Sequence, residues 1–137
     1  MTMTKALVIS NMGPGDITFE HDLGVWNVTR AFADCAKGRH RIYLHHVAEV
    51  LAGSETIEVD RDKVERYAQD LDDLESFALI FVVEDGKVWL IDGAHHLRAM
   101  SQRGFKDCTG FVIEEKDTAQ YRVLFNGERQ PPWKKTP

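Results

Sequence analysis

The chain has 137 residues, 43% of them hydrophobic, which suffices for one ordinary buried core and so for a single domain over 1–137. Its formal net charge of −5 excludes a protein that coats duplex DNA through its whole surface. No apolar run approaches the roughly 18–20 residues that span a bilayer, and the apolar segment near the N-terminus is too short for a signal peptide, so a soluble cytoplasmic protein without a membrane partner is expected.

Lys5 to Ser10 predicts a short strand, ended by the turn-rich Asn11-Met12-Gly13-Pro14-Gly15-Asp16. Trp26 to Lys37 is loosely helical, with Gly38 as its stop. Ile42 to Leu51 starts extended and turns helical in its second half, where Val47, Val50 and Leu51 recur at helical spacing. Thr56-Ile57-Glu58-Val59 alternates like a half-exposed strand, and Asp60 then caps a helix running to about Asp70. The acidic stretch Asp70 to Glu75 reads as a solvated helix end and loop.

Phe77 to Glu84 is a strongly apolar strand, and Glu84-Asp85-Gly86-Lys87 turns it into a hairpin with Val88 to Ile91. Ala94 to Arg103 predicts a helix closed by Gly104; Thr109 to Glu114 is a further strand, and Tyr121 to Phe125 a last strand or helical turn. Strands and helices are mixed around a hairpin, which favours an α+β fold, a small mixed sheet with helices packed on it. The basic, proline-rich residues 128–137 read as a tail or strap, with Trp133 placed to cover the sheet, a partner's groove or a base.

The most informative run is Val88 to Met100, a strand that stops at Asp92-Gly93 and becomes a helix opening with His95 and His96. A helix N-terminus carries unpaired N–H groups and a partial positive charge, so it favours anions, phosphate above all. At about 100° per residue, Ala94, Leu97, Met100 and Ser101 share the side that packs on the sheet. His95 and Arg98 are neighbours on another side, and His96 falls with Arg103 on a third. Arg98 has a donor fork suited to phosphate oxygens, His95 a ring donor, and Asp92 a carboxylate for a metal ion or for general-base work. The plainer reading stands beside it: Asp92 caps the helix, Gly93 eases the turn, and both histidines are solvated.

Phe77 to Glu115 resembles the core of the ParB/sulfiredoxin superfamily. The likeness lies in the hairpin at Glu84-Asp85-Gly86-Lys87, the turn Asp92-Gly93-Ala94-His95, the helix that follows, Gly104 and the strand from Thr109. The family-like core is taken as residues 57–115, its lead-in less closely matched. The resemblance implies nucleotide-phosphate binding at Gly93, Ala94, His95, His96 and Arg98, with Asp92 and His95 as catalytic groups and Asp92 as the metal ligand. It implies ATP or CTP with Mg²⁺ as the cofactors, and phosphoryl transfer or phosphate-ester hydrolysis (an NTPase, kinase or nuclease) as the reaction. Two departures matter: His96 stands where an arginine is usual, and Ala94 stands where sulfiredoxins keep a reactive cysteine and partition proteins a glutamate. The first makes a phosphate contact weaker or pH-sensitive, and the second counts against sulfiredoxin chemistry and against a standard partition CTPase. The alternative is a non-enzymatic accessory module of the same fold that binds a protein or nucleic acid.

Three minor features complete the reading. Cys35 and Cys108 match no metal spacing or disulfide framework and read as free, partly buried thiols. Six histidines, among them the pair His45-His46, invite a metal site, but their spacing fixes no ligand set on one face. Lys37-Gly38-Arg39-His40-Arg41 is a basic cluster within reach of phosphate or simply a solvated loop.

Overall fold

The computed structural model describes residues 9–21 and 24–125. Its strands are β1 (Ile9–Ser10), β2 (Thr18–His21), β3 (Gly24–Asn27), β4 (Arg41–His46), β5 (Ala78–Glu84), β6 (Lys87–Asp92), β7 (Asp107–Ile113) and β8 (Leu124–Phe125). The helices are α1 (Val28–Ala36), α2 (Val47–Gly53), α3 (Arg61–Ala68), α4 (Leu71–Ser76), α5 (Ala94–Gln102) and α6 (Glu115–Thr118), with a 3-10 turn over Ala119–Tyr121. The proline-rich 128–137 segment, Trp133 and most of the expected first strand lie outside the described residues.

The centre is a mixed four-stranded sheet of order β4-β7-β5-β6. β5 and β6 form an antiparallel hairpin whose turn residues Asp85 and Gly86 both have positive φ (54° and 72°), the conformation that matches strand twist in a two-residue loop. From β6 the chain passes through α5 and returns as β7 parallel to β5, while β4 pairs antiparallel with β7 on the far side. The fold is thus α+β.

β5 is buried on both faces, which explains its unbroken apolar run. Leu79 and Phe81 pack with Val47, Val64, Leu74, Leu97 and Met100 under α2, α3, α4 and α5. Ile80 and Val82 point the other way, into Trp26, Ala31, Cys35 and Tyr121. On that second face Arg122 pairs with buried Glu84 at 2.7 Å and lies 4.2 Å over the Trp26 ring. The Tyr121 hydroxyl donates to Asp34 at 2.6 Å and lies 2.6 Å from His40 Nε2. Both cysteines are free and buried, and burial pushes the Cys35 thiol up to about 12, which favours the protonated form.

Several expectations need correction. Thr56–Val59 is not a strand: the Ile57 amide closes a turn onto the Ser54 carbonyl and the Ile57 carbonyl accepts from Arg98, so these groups are not satisfied by a ladder. Trp26 belongs to β3, and the helix begins only at Val28 because Asn27 caps it, its side chain accepting from the Arg30 amide. The acidic stretch is helical from Leu71, capped by Asp70 and anchored by buried Leu74. On α5, Ser101 is exposed and Ala99 fully buried, because α3 packs beside the helix and turns its buried stripe toward His96 and Arg103.

Candidate functional site at the strand–helix turn

β6 delivers Asp92 to the sheet edge, and Gly93 then takes φ 104° and ψ 13° to start α5. A Cβ there would sit 2.4 Å from Leu79 Cδ2 and 2.7 Å from Phe77 Cε1, so glycine is required for both angle and space. The first helical bond runs from the Leu97 amide to the Gly93 carbonyl at 2.8 Å. Gly93, the capping residue, has no side chain to offer the N–H groups of the first turn, and its own amide meets the Asp92 carboxylate. Gly104, at φ 79°, ends the helix: its amide bonds Ser101 and the Phe105 amide bonds Met100, a double closure of the last turn.

Beside the opening turn lies a cavity of about 220 Å³. Asp92, Gly93, Ala94 and His95 form one wall, Ile57 and Glu58 a second, and Thr18 and Phe19 of the β2-β3 hairpin a third. The loop before that hairpin is self-satisfied, since the Asp16 carboxylate accepts from both the Gly13 amide and Asn27 Nδ2. It braces the hairpin against the cavity and offers no free backbone of its own at those groups.

Burial holds the Asp92 carboxyl above its ordinary value, against the opposing pull of the Gly93 amide and the Lys63 charge. His95 is lowered by burial and by Lys63, with Asp60 acting the other way. Its Nε2 accepts from the Asp60 amide at 3.0 Å, so the ring is neutral with its proton on Nδ1. Lys63 is the cation whose field reaches Asp92, His95 and His96 together. Sequence reasoning missed it, and Glu58, because nothing in the local pattern says that α3 lies against α5.

The structure sends His96 and Arg98 elsewhere. The His96 ring is stacked between Phe77 and Tyr67, with centroids 3.6 and 4.0 Å away, and its Nε2 meets Asp73 at 2.9 Å. Its side chain is 13% exposed, so it is a packing group and not a solvated one. Arg98 Nη2 donates to the carbonyls of Ser54 and Ile57 at 3.3 and 3.4 Å. Its guanidinium therefore braces the loop that carries the cavity wall, and does not line the cavity. The expected ligand set thus divides: Asp92, Gly93, Ala94 and His95 converge, whereas His96 and Arg98 support them from behind.

His45 and His46 are engaged in the sheet. His45 Nε2 lies 3.2 Å from the Gly110 carbonyl, and His46 pairs with Asp107 at 3.0 Å. Among the described residues no group of three or more His, Cys, Asp or Glu side chains is placed to hold a metal, and no helix is long and apolar enough to cross a membrane. In the basic loop, Arg39 pairs with Asp34 at 3.0 Å.

No family model matches the chain, and no curated protein or solved structure matches it either.

Proposed function

We propose that this chain binds the phosphate of a nucleotide, ATP or CTP carrying Mg²⁺, at the first turn of α5. The observation that carries this reading is the N-terminus of a nine-residue helix opening, through a glycine, onto a cavity walled by Asp92 and His95. The motif's likeness to the ParB/sulfiredoxin turn points the same way. Small-molecule pockets commonly run to about 300–1,000 Å³, so a cavity of about 220 Å³ would take only part of a nucleotide.

Charge decides the form of the ligand. Asp92 and Glu58 line the same space, and two carboxylates repel a bare phosphate. Mg²⁺ removes that conflict, because it binds through one or two carboxylates together with substrate phosphates and needs no all-protein cage. Asp92 and Glu58, the two carboxylates that line the space, would be its holders. Mg²⁺ would supply charge neutralisation on the phosphates. In a reaction, Asp92 serves either as a holder of that ion or, through its raised carboxyl, as a general base, and the His95 Nδ1–H suits an oxygen of the transferring or hydrolysed phosphate. The reaction class is phosphoryl transfer or phosphate-ester hydrolysis, a nuclease included.

Calorimetry with ATP and CTP, with and without Mg²⁺, tests the proposal. Binding that needs Mg²⁺ and is lost in Asp92→Asn supports it; no heat with any nucleotide refutes it. The second reading, a non-enzymatic module binding a protein or nucleic acid, is favoured by one observation. Arg98, the arginine expected on the phosphates, is committed to two backbone carbonyls.

A further inference from the structure

We infer that the cavity enclosed by α1, α4 and the β5-β7-β4 side of the sheet binds a small aromatic ammonium compound, at a site that shares no residue with the cavity at the α5 turn. The strand registers place Ile80, Phe111 and Ile42 side by side across β5, β7 and β4, so they form one apolar floor. α1 covers the Ile80 end of that row, where Ala31 and Cys35 join the second core, and leaves Ile42 exposed. Phe32 and Ala36 of α1 make one wall; Asp73 and Ser76 of α4, with Phe77 just after it, make the other. The space between them is about 410 Å³, within the roughly 300–1,000 Å³ of small-molecule pockets.

The rings set the apolar half of the ligand. Phe32, Phe77 and Phe111 come from three separate parts of the chain and line the same space. Phe32 is 60% exposed, and among the described residues it takes part in no ring contact. A flat aromatic group between these walls gains offset or edge-to-face contacts, which form at centroid separations of about 4.5–7 Å.

Charge sets the other half. Among the described residues Asp73 is the one charged side chain that lines the cavity, and it is 43% exposed. Its Oδ2 accepts from His96 Nε2 at 2.9 Å, but burial holds the His96 ring below its ordinary value, so near neutral pH that bond brings a proton and no charge. The basic loop nearby does not supply the missing cation: Arg39 pairs with Asp34, Arg41 alternates to the opposite sheet face from Ile42, and neither they nor Lys37 line the space. One uncompensated carboxylate beside three rings suits an ammonium on an aromatic frame, through ion pairing and cation–π attraction together. Ser76 Oγ donates to the carbonyls of Asp72 and Asp73 and keeps its lone pairs for a second N–H of that ammonium. The same charge disfavours an anionic ligand.

Titration of the full chain with tryptamine, followed by the amide NMR signals of Phe32, Ala36 and Thr109, tests this; indolepropionate, the same ring ending in a carboxylate, is the comparison. Tryptamine is expected to bind saturably at millimolar concentration or below, and indolepropionate at least about tenfold more weakly. Asp73→Asn should bring the two probes within about threefold of each other. Glu75→Gln, an equal loss of charge at an exposed residue outside the cavity, should leave the preference as it is. Ala36→Trp, which fills the space from an exposed helix position at unchanged net charge, should abolish binding. No saturable shift, equal affinity for the two probes, a preference that survives Asp73→Asn, or binding that survives Ala36→Trp overturns the proposal. Should Asp73→Asn fail to fold, the wild-type preference and Ala36→Trp decide.

Discussion

His95 Nε2 accepts a hydrogen bond from the Asp60 amide at 3.0 Å, so the first turn of α5 is tied to the residue that caps α3. That bond needs an unprotonated Nε2, and burial also lowers the pKa of both His95 and its neighbour His96. Folded histidines therefore resist a proton that the unfolded chain accepts near 6.5. Below that value the unfolded state binds more protons, so stability falls as pH drops through it. Urea unfolding across this range should show the loss, and His95→Gln with His96→Gln should flatten it. An unchanged slope in the double variant would show that the pH dependence arises elsewhere.

Asp92 carries the opposite sign. Its folded carboxyl is raised, chiefly by burial, so ionisation costs the folded state more than the unfolded one. The unfolded state loses its proton first, from about the ordinary value of 3.8 upward, and stability declines as pH rises through that window. Asp92→Asn should therefore melt higher than wild type at neutral pH, with the advantage vanishing in acid. A lower melting temperature at neutral pH would mean that the carboxylate is a structural asset and not a group held ready for a ligand.

Gly93 tolerates no side chain. Gly93→Ala combines a positive φ with contacts inside van der Waals distance to Leu79 and Phe77, and should cost about 3 kcal/mol in denaturant unfolding. Gly86→Ala, also at positive φ but with open space around it, should cost about 1 kcal/mol. Equal costs at the two positions would remove the packing part of the argument.

Arg98 positions the cavity wall. Arg98→Ala should destabilise by about 1 kcal/mol and raise amide hydrogen exchange across 54–60, where its two carbonyl partners lie. Nucleotide affinity should weaken with the Mg²⁺ requirement intact, since Asp92 and Glu58 are untouched. A lost Mg²⁺ requirement, with exchange across 54–60 unchanged, would return Arg98 to direct phosphate contact.

Local rules carried much of this architecture into view. Asp85-Gly86, the Asp60 cap, the apolar β5 run and the stop at Gly104 each follow from backbone chemistry within a few residues, and each appears where that chemistry puts it. Long-range partners set the rest. The period-two pattern of Thr56–Val59 could not disclose that no neighbouring strand accepts it, nor could the spacing of His95 and Arg98 disclose that carbonyls of a distant loop take the guanidinium. His96 looks solvated in isolation and is instead stacked between Tyr67 and Phe77, contributed by two other elements. Lys63 and Glu58 joined the site for the same reason: tertiary packing, not local motif, brought them there.

The most direct test of phosphate binding at the α5 turn is a two-dimensional amide NMR titration with Mg²⁺-ATP and Mg²⁺-CTP. The account predicts saturable shifts that centre on the amides of Gly93, Ala94, His95 and His96, extend to Glu58, and disappear in Asp92→Asn. Shifts absent from those amides, or clustered instead around the basic loop 37–41, would contradict it.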